Sequence, residues 1–200
     1  MADFANQERS ALHAQSGHFG RAGATGLTVV ERTDMAFASL IVKRGKRDAL
    51  AAAIETAFGV ALPTGARRAG KGALTFAGTG SGQWMASAEG GDATGFAARL
   101  RARLGPFAAV TDQSDARLVL QLSGPHVRDV LAKGVPIDLH AKAFKPGDVA
   151  TTLIAYIGVQ LDMLDDSPAY LLTTPRSTAG SFWSWLSASA AEFGYDVVTK

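Results

Sequence analysis

The most concentrated carboxylates in the chain are Asp162, Asp165 and Asp166, in the string L-D-M-L-D-D-S-P-A-Y. Paired carboxylates can act as general acid and base when burial separates their pKa values. Asp165-Asp166-Ser167-Pro168 also spells a turn between two strands, because Asp side chains bond their own backbone and Pro suits the following position. The turn is the favoured reading. The histidines are His13, His18, His126 and His140, with no H-x-x-x-H or H-E-x-x-H spacing and no carboxylate at metal-ligand distance in sequence, so no metal site is expected. G-T-G-S-G at 78–82 resembles a phosphate loop in composition. Such a loop should lead into a helix, whereas strand-forming residues follow here, which predicts a hairpin. Ser81, Ser123 and Ser181 lack a G-x-S-x-G elbow and a credible base, so a hydrolase triad has no support.

Basic residues gather at Lys43-Arg44-Gly45-Lys46-Arg47 and at Arg67-Arg68-Ala69-Gly70-Lys71. Such runs can bind nucleic acid, an anionic ligand or an acidic partner surface, and a solvated turn is the favoured reading. No aromatics are interleaved with them, so the stacking platform that single-stranded nucleic acid needs is missing. A helix from Pro175 to Phe193, projected at roughly 100° per residue, places Phe182, Leu186, Ala190 and Phe193 on one stripe. Trp183 falls at one edge of that stripe and Trp185 beyond the opposite border. Trp185 either widens the core face or anchors an interface. Arg176 stands in the first turn, where the helix dipole disfavours a cation, so it calls for a carboxylate: Asp165 or Asp166 within the chain, or one on a partner. The candidate partner-interface residues are therefore Arg176, Trp185, Trp183, Lys43 and Arg44; the expected catalytic and metal sets are empty.

These residues hang on a regular frame. From Arg117 to His140, Leu118, Leu120 and Leu122 alternate with Val119 and Gln121 as in a strand buried on both faces. Pro125 opens a helix to Lys133 whose apolar face is Val127, Val130 and Leu131, with Asp129 and Lys133 as an i,i+4 pair and Gly134 as C-cap. Upstream, the pattern predicts a strand over 37–42, a helix from about Lys46 to Phe58, a loop through 61–72, and strands over 73–76 and 83–88. A helix capped by Asp92 and carrying Phe96, Leu100 and Leu104 follows, then a strand over 107–111. Downstream, 150–164 reads as one long or bent strand, 168–173 as the next, and 195–198 as a terminal strand.

The order strand, helix, strand, strand, helix, strand thus occurs twice, with the helices at nearly equal offsets. This predicts an α+β fold of two ferredoxin-like β-α-β-β-α-β modules, at 36–114 and 115–200, packed through their open faces into one compact unit. Residues 1–35, with recurrent glycines and the short alternation Leu27, Val29, Val30, read as an extended N-terminal arm. The 200 residues, 47% hydrophobic and 19% charged, describe a globular chain with no membrane-spanning run, and a net charge of +2 does not call for nucleic acid. Zero cysteines exclude disulfides and thiolate chemistry. The beginning M-A-D-F-A-N-Q-E-R has no apolar leader, so the cytoplasm is the expected compartment.

The strings R-L-V-L-Q-L-S-G-P-H-V-R-D-V-L-A-K-G-V-P-I-D-L-H at 117–140, A-F-K-P-G-D-V-A at 143–150 and P-R-S-T-A-G-S-F-W-S-W-L at 175–186 together resemble the gamma subunit of heterotetrameric sarcosine oxidase, with a weaker match in I-V-K-R-G-K-R-D-A-L at 41–50. The resemblance implies a fold like the folate-binding aminomethyltransferases, without their C-terminal barrel. It implies a non-catalytic assembly role in a complex that demethylates sarcosine to glycine, forms hydrogen peroxide and passes a one-carbon unit to tetrahydrofolate. Partners would be the alpha, beta and delta subunits, chiefly alpha, and the isolated chain could close its partner surface by self-association. FAD, FMN and NAD would sit on the large subunits and zinc on the smallest, with none on this chain. The alternative is a stand-alone folate- or pterin-binding module, which requires a deep pocket between the modules with an inward carboxylate.

Overall fold

The structure is a computed structural model that describes residues 10–12, 15–90 and 93–199. His13 and the expected cap at Asp92 lie outside the described residues. In chain order the elements are β1 (Gly17–Phe19), β2 (Leu27–Glu31), β3 (Met35–Val42), α1 (Arg47–Phe58), β4 (Arg68–Lys71), β5 (Leu74–Gly80), β6 (Gln83–Glu89), α2 (Ala93–Leu104), β7 (Ala108–Asp112), β8 (Arg117–Ser123), α3 (Val127–Ala132), β9 (Val149–Ile154), β10 (Ile157–Asp165), β11 (Ala169–Pro175), α4 (Ala179–Ala190) and β12 (Tyr195–Thr199). They build a five-stranded sheet in the order β4-β5-β6-β3-β7 and a seven-stranded sheet in the order β1-β12-β2-β8-β11-β10-β9.

In the five-stranded sheet the strands of β3-α1-β5-β6-α2-β7 take the spatial order fourth, first, third, second, the ferredoxin-like arrangement. The second set, β8-α3-β10-β11-α4-β12, takes the same order with β2 slotted between its fourth and first strands. Neither sheet closes into a barrel. Period-2 alternation decides which side chain meets which layer. Leu118, Leu120 and Leu122 of β8 point to a core beneath α3 and α4 that includes Tyr170, Leu172, Phe182 and Leu186. Leu50 and Ile54 of α1 and Phe96, Leu100 and Leu104 of α2 cover the other sheet over Leu40, Phe76 and Trp84. The alternate residues Met35, Phe37 and Met85 of one sheet and Val119 and Leu171 of the other form a smaller buried cluster between the sheets. The layers therefore run helices, sheet, sheet, helices.

Two polar devices join the halves. Buried Arg32, at the turn from β2 to β3, donates to both carboxylate oxygens of Asp34 (2.7 and 3.0 Å), to Glu89 of β6 (3.1 Å) and to Gln121 of β8 (3.1 Å). A cation taken this far from water needs such complete pairing. The string Lys145-Pro146-Gly147-Asp148 forms a turn with Pro in its second position and Gly147 at φ 85 in its third, the residues a type II turn demands. Its backbone bonds across the halves, Arg68 N–H to Gly147 O at 2.8 Å and Val149 N–H to Ala66 O at 2.9 Å.

Several local expectations change. Residues 150–164 are two strands, because the chain reverses at Ala155-Tyr156 between the paired Ile154 and Ile157. Part of the expected loop over 61–72 is β4, which pairs with β5 along Arg68–Lys71. Pro175 ends β11, and a 3₁₀ turn at Arg176–Thr178 leads into α4. Lys133 bonds not Asp129 but Ser189 O at 2.5 Å and the Glu192 carboxylate, while Asp129 takes His126 Nδ1 at 2.8 Å. Gly134 does not adopt a positive φ, so it is no left-handed cap. A Cβ there would stand 2.7 Å from Trp185 Cζ2, and this close approach requires the glycine.

The edge strand β1 is fastened by His18, whose Nδ1 lies 2.6 Å from Asp196 Oδ1 and whose Nε2 lies 2.9 Å from Arg21 O. With acceptors at both nitrogens, the doubly protonated ring satisfies both. The pKa of His18 is raised above its usual 6.5, first by the bond to the Arg21 carbonyl and then by Asp196. A raised histidine contributes below its unfolded value and its contribution is lost as pH rises through the folded value. Hydrogen-exchange protection of the β1 amides is expected to fall as the pH is raised above 6.5 in the wild type. In H18A it should be low and independent of pH.

Candidate partner interface

The turn reading of Asp165-Asp166-Ser167-Pro168 holds: Asp165 Oδ1 accepts from the Ser167 amide and hydroxyl, both at 2.8 Å, at the β10–β11 turn. Asp162 is different. It is 3% exposed, faces the space between the sheets, and accepts from Gln160 Nε2 at 2.8 Å. Burial pushes its carboxyl up from 3.8 to about 6, opposed by the Gln160 bond and the Arg68 charge. Three residues of separation on one strand thus give opposite environments, which sequence adjacency could not show.

Arg176 is half-buried and cannot reach Asp165 or Asp166. The seven residues of β11 lie between them, a span of about 23 Å. Instead, Arg176 stands at the end of the sheet where β9 turns into β10: Thr174 Oγ1, two residues before it, donates to Gly158 O at 3.0 Å. Trp185 packs from the middle of α4. Its ring and Ile154 Cγ2 both lie against Gly134, at 2.7 and 3.1 Å from a Cβ built there, and its ring centroid is 5.6 Å from that of Phe182. Trp183 packs edge-on to Tyr195, with centroids 6.2 Å apart. Both tryptophans are half-buried against the helix-side core, so each widens the core face and keeps a surface edge.

Lys43 and Arg44 belong to the five-stranded half, exposed at the corner from β3 to α1, where Lys43 Nζ caps Gly105 O at 2.5 Å. Of the five candidates, Arg176 stands where α4 is entered, and Trp185 follows nine residues later in the middle of α4. At the β9–β10 turn the structure exposes two side chains that the sequence did not mark: Leu153, 49% exposed, and Tyr156, 97% exposed. Ala155-Tyr156 contains no Gly, Asn, Asp or Pro, so no turn chemistry pointed to it.

The folate-type alternative meets less support. Asp162 is the inward carboxylate it would need, but it lies closed between the sheets. The cleft of about 490 Å³ beside the 78–82 hairpin, bordered by Arg47, Trp84 and Thr151, has no carboxylate among its lining residues. Among the described residues no three of His, Cys, Asp and Glu gather as metal ligands, and no helix is long and apolar enough to cross a membrane.

Comparison with known proteins agrees with this architecture. The chain of heterotetrameric sarcosine oxidase from Corynebacterium sp. U-96, solved in complex with pyrrole 2-carboxylate, superposes with a TM-score of 0.75 at 29% identity, over 86% of this chain and 87% of that one. Glycine cleavage system aminomethyltransferase T from Bartonella henselae shares the fold at 14% identity, with a TM-score of 0.63 over 87% of this chain and 48% of that one. In sequence, sarcosine oxidase subunit gamma of Corynebacterium sp. (strain P-1) is 32% identical over 202 residues, covering 96% of both proteins. Residues 44–192 match the family described as sarcosine oxidase, gamma subunit. The span of that match, together with the near full-length identity, places this chain in the sarcosine oxidase gamma subunit family.

Proposed function

We propose that this chain is a non-catalytic assembly subunit of a cytoplasmic, heterotetrameric sarcosine oxidase. It docks chiefly on the alpha subunit, with beta and delta completing the complex. The complex oxidatively demethylates sarcosine to glycine, forms hydrogen peroxide and transfers the one-carbon unit to tetrahydrofolate; its FAD, FMN, NAD and zinc are held by the other subunits. The observation that carries this reading is the 32% identity to a sarcosine oxidase subunit gamma along 96% of the chain. In support, Arg176, Trp183 and Trp185 are half-buried with part of each side chain at the surface, and tryptophan and arginine are residue types that recur at interfaces.

The test is co-expression of the tagged chain with the products of its neighbouring genes, followed by identification of what elutes and assay of sarcosine-dependent peroxide formation. The expected result is a four-subunit flavoprotein whose activity or stability drops when this chain is left out. R176E is expected to lower recovery of the complex about tenfold or more, as loss of an interface hot spot does. A chain that elutes alone yet retains tetrahydrofolate would replace the assembly role with a ligand-binding one.

A further inference from the structure

We propose that the Asp162 carboxyl group is a proton-operated catch on the seam between the two sheets. Protonated, it lets the seam close at the edge where β4 meets the Lys145–Asp148 turn; ionised, it makes that edge open locally to water.

Few bonds hold the seam at this edge. Arg68 N–H donates to Gly147 O at 2.8 Å, Val149 N–H donates to Ala66 O at 2.9 Å, and the Arg67 guanidinium pairs with Asp148. β4 is four residues long and borders one strand of its own sheet, β5. An edge with so few ties separates at a lower cost than the whole chain unfolds. Asp162 stands directly behind these ties. It lies in register with Val149 of β9. The next residue, Met163, is bonded to the turn on both sides, donating to Asp148 O at 3.0 Å and accepting from Gly147 N–H at 2.9 Å.

In this place an ionised carboxylate is poorly served. Such a group has about four acceptor sites. Asp162, 3% exposed, accepts one hydrogen bond among the described residues, from Gln160 Nε2 at 2.8 Å. β9 and β11 set Val149 and Leu171 opposite it, and neither titrates. The charged group that faces it from the other sheet is Arg68 of β4, whose guanidinium donates to Thr75 Oγ1 at 3.4 Å and not to the carboxylate. Opening the edge supplies the missing donors as water. Burial accordingly raises the carboxyl from 3.8 to about 6 while the seam is closed. The closed form therefore binds the proton more tightly than the open one. Its advantage is complete below 3.8 and is lost as pH rises to about 6. This difference corresponds to an opening equilibrium about a hundredfold larger at pH 7 than at pH 4.

The experiment follows amide hydrogen exchange of full-length wild type and D162N from pH 4 to 8, with and without urea below the unfolding transition. Carbon-13 NMR follows the Asp162 carboxyl in parallel. In wild type the protection of the Arg68 and Val149 amides is expected to fall about a hundredfold between pH 4 and 7. Urea should leave their exchange unchanged, since a local opening exposes little surface. In D162N, which keeps the shape and loses the charge, the same amides should stay protected at every pH. Unchanged protection in wild type while the carboxyl titrates near 6 overturns the catch. Urea-dependent exchange of the two amides assigns the effect to global unfolding and overturns it as well. An equal loss of protection in D162N places the effect on another group, with the same consequence.

Discussion

A chain that begins at Arg32 is expected to show no cooperative thermal transition. The segment removed contains β2, which lies inside the seven-stranded sheet, between β12 and β8. It runs parallel to β12 in the register Leu27↔Tyr195 to Glu31↔Thr199 and antiparallel to β8 in the register Thr28↔Ser123 to Glu31↔Leu120. Its deletion strips both ladders at once and opens the core where Leu27 and Val29 are buried. L27A is the milder version and should cost about 2 to 5 kcal/mol, the range for a leucine cut to alanine in a tight core. Near-ultraviolet circular dichroism and calorimetry check both. A truncated chain that still melts cooperatively would mean that β12 can close directly on β8, restoring the simple four-strand order.

Replacement of Asp162 by asparagine is expected to stabilise the chain at neutral pH and to leave it little changed near pH 4. The folded carboxyl titrates near 6 and the unfolded one near 3.8, so between these values the native state holds the extra proton. Raising the pH through this window therefore destabilises the wild type. The full effect corresponds to about 3 kcal/mol at pH 7, at 1.36 kcal/mol per unit of pKa difference. Arg68 on β4 is the charge that faces the carboxylate from the other sheet, and Gln160 beside it donates the compensating hydrogen bond. Urea titrations of wild type and D162N from pH 4 to 8 should give stability curves that diverge across the window and run parallel above it. A constant difference at every pH would place the Asp162 proton on neither side of folding.

The hairpin order and the helix faces were legible because they depend on neighbours in sequence. Leu118, Leu120 and Leu122 could belong only to a buried strand, and Phe182 and Leu186 only to a helix stripe, since period and rotation are properties of the local backbone. The β10–β11 turn at Asp165-Ser167 was readable for the same reason: an Asp side chain reaches its own backbone two residues on. The strand–turn–strand reversal at Ala155-Tyr156 was not, because the residues that normally mark a two-residue hairpin are absent. The strand β4 was hidden likewise, its pairing with β5 supplied by a partner strand and not by its own Arg-Ala-Gly-Lys.

By itself the sequence determined the α+β class, the two ferredoxin-like sets of elements and the faces each helix would bury. Its family strings brought it to the sarcosine oxidase gamma subunits. Tertiary structure alone decided the place of β2, since a short apolar alternation says that a strand exists but not which ladders it joins. It also decided the fate of single polar side chains. Arg176 is carried a strand's length from Asp165, and Asp162 is sealed between two sheets while Asp165, three residues on, remains in solvent. Burial and long-range pairing depend on what the rest of the chain brings alongside, and no local spacing records that.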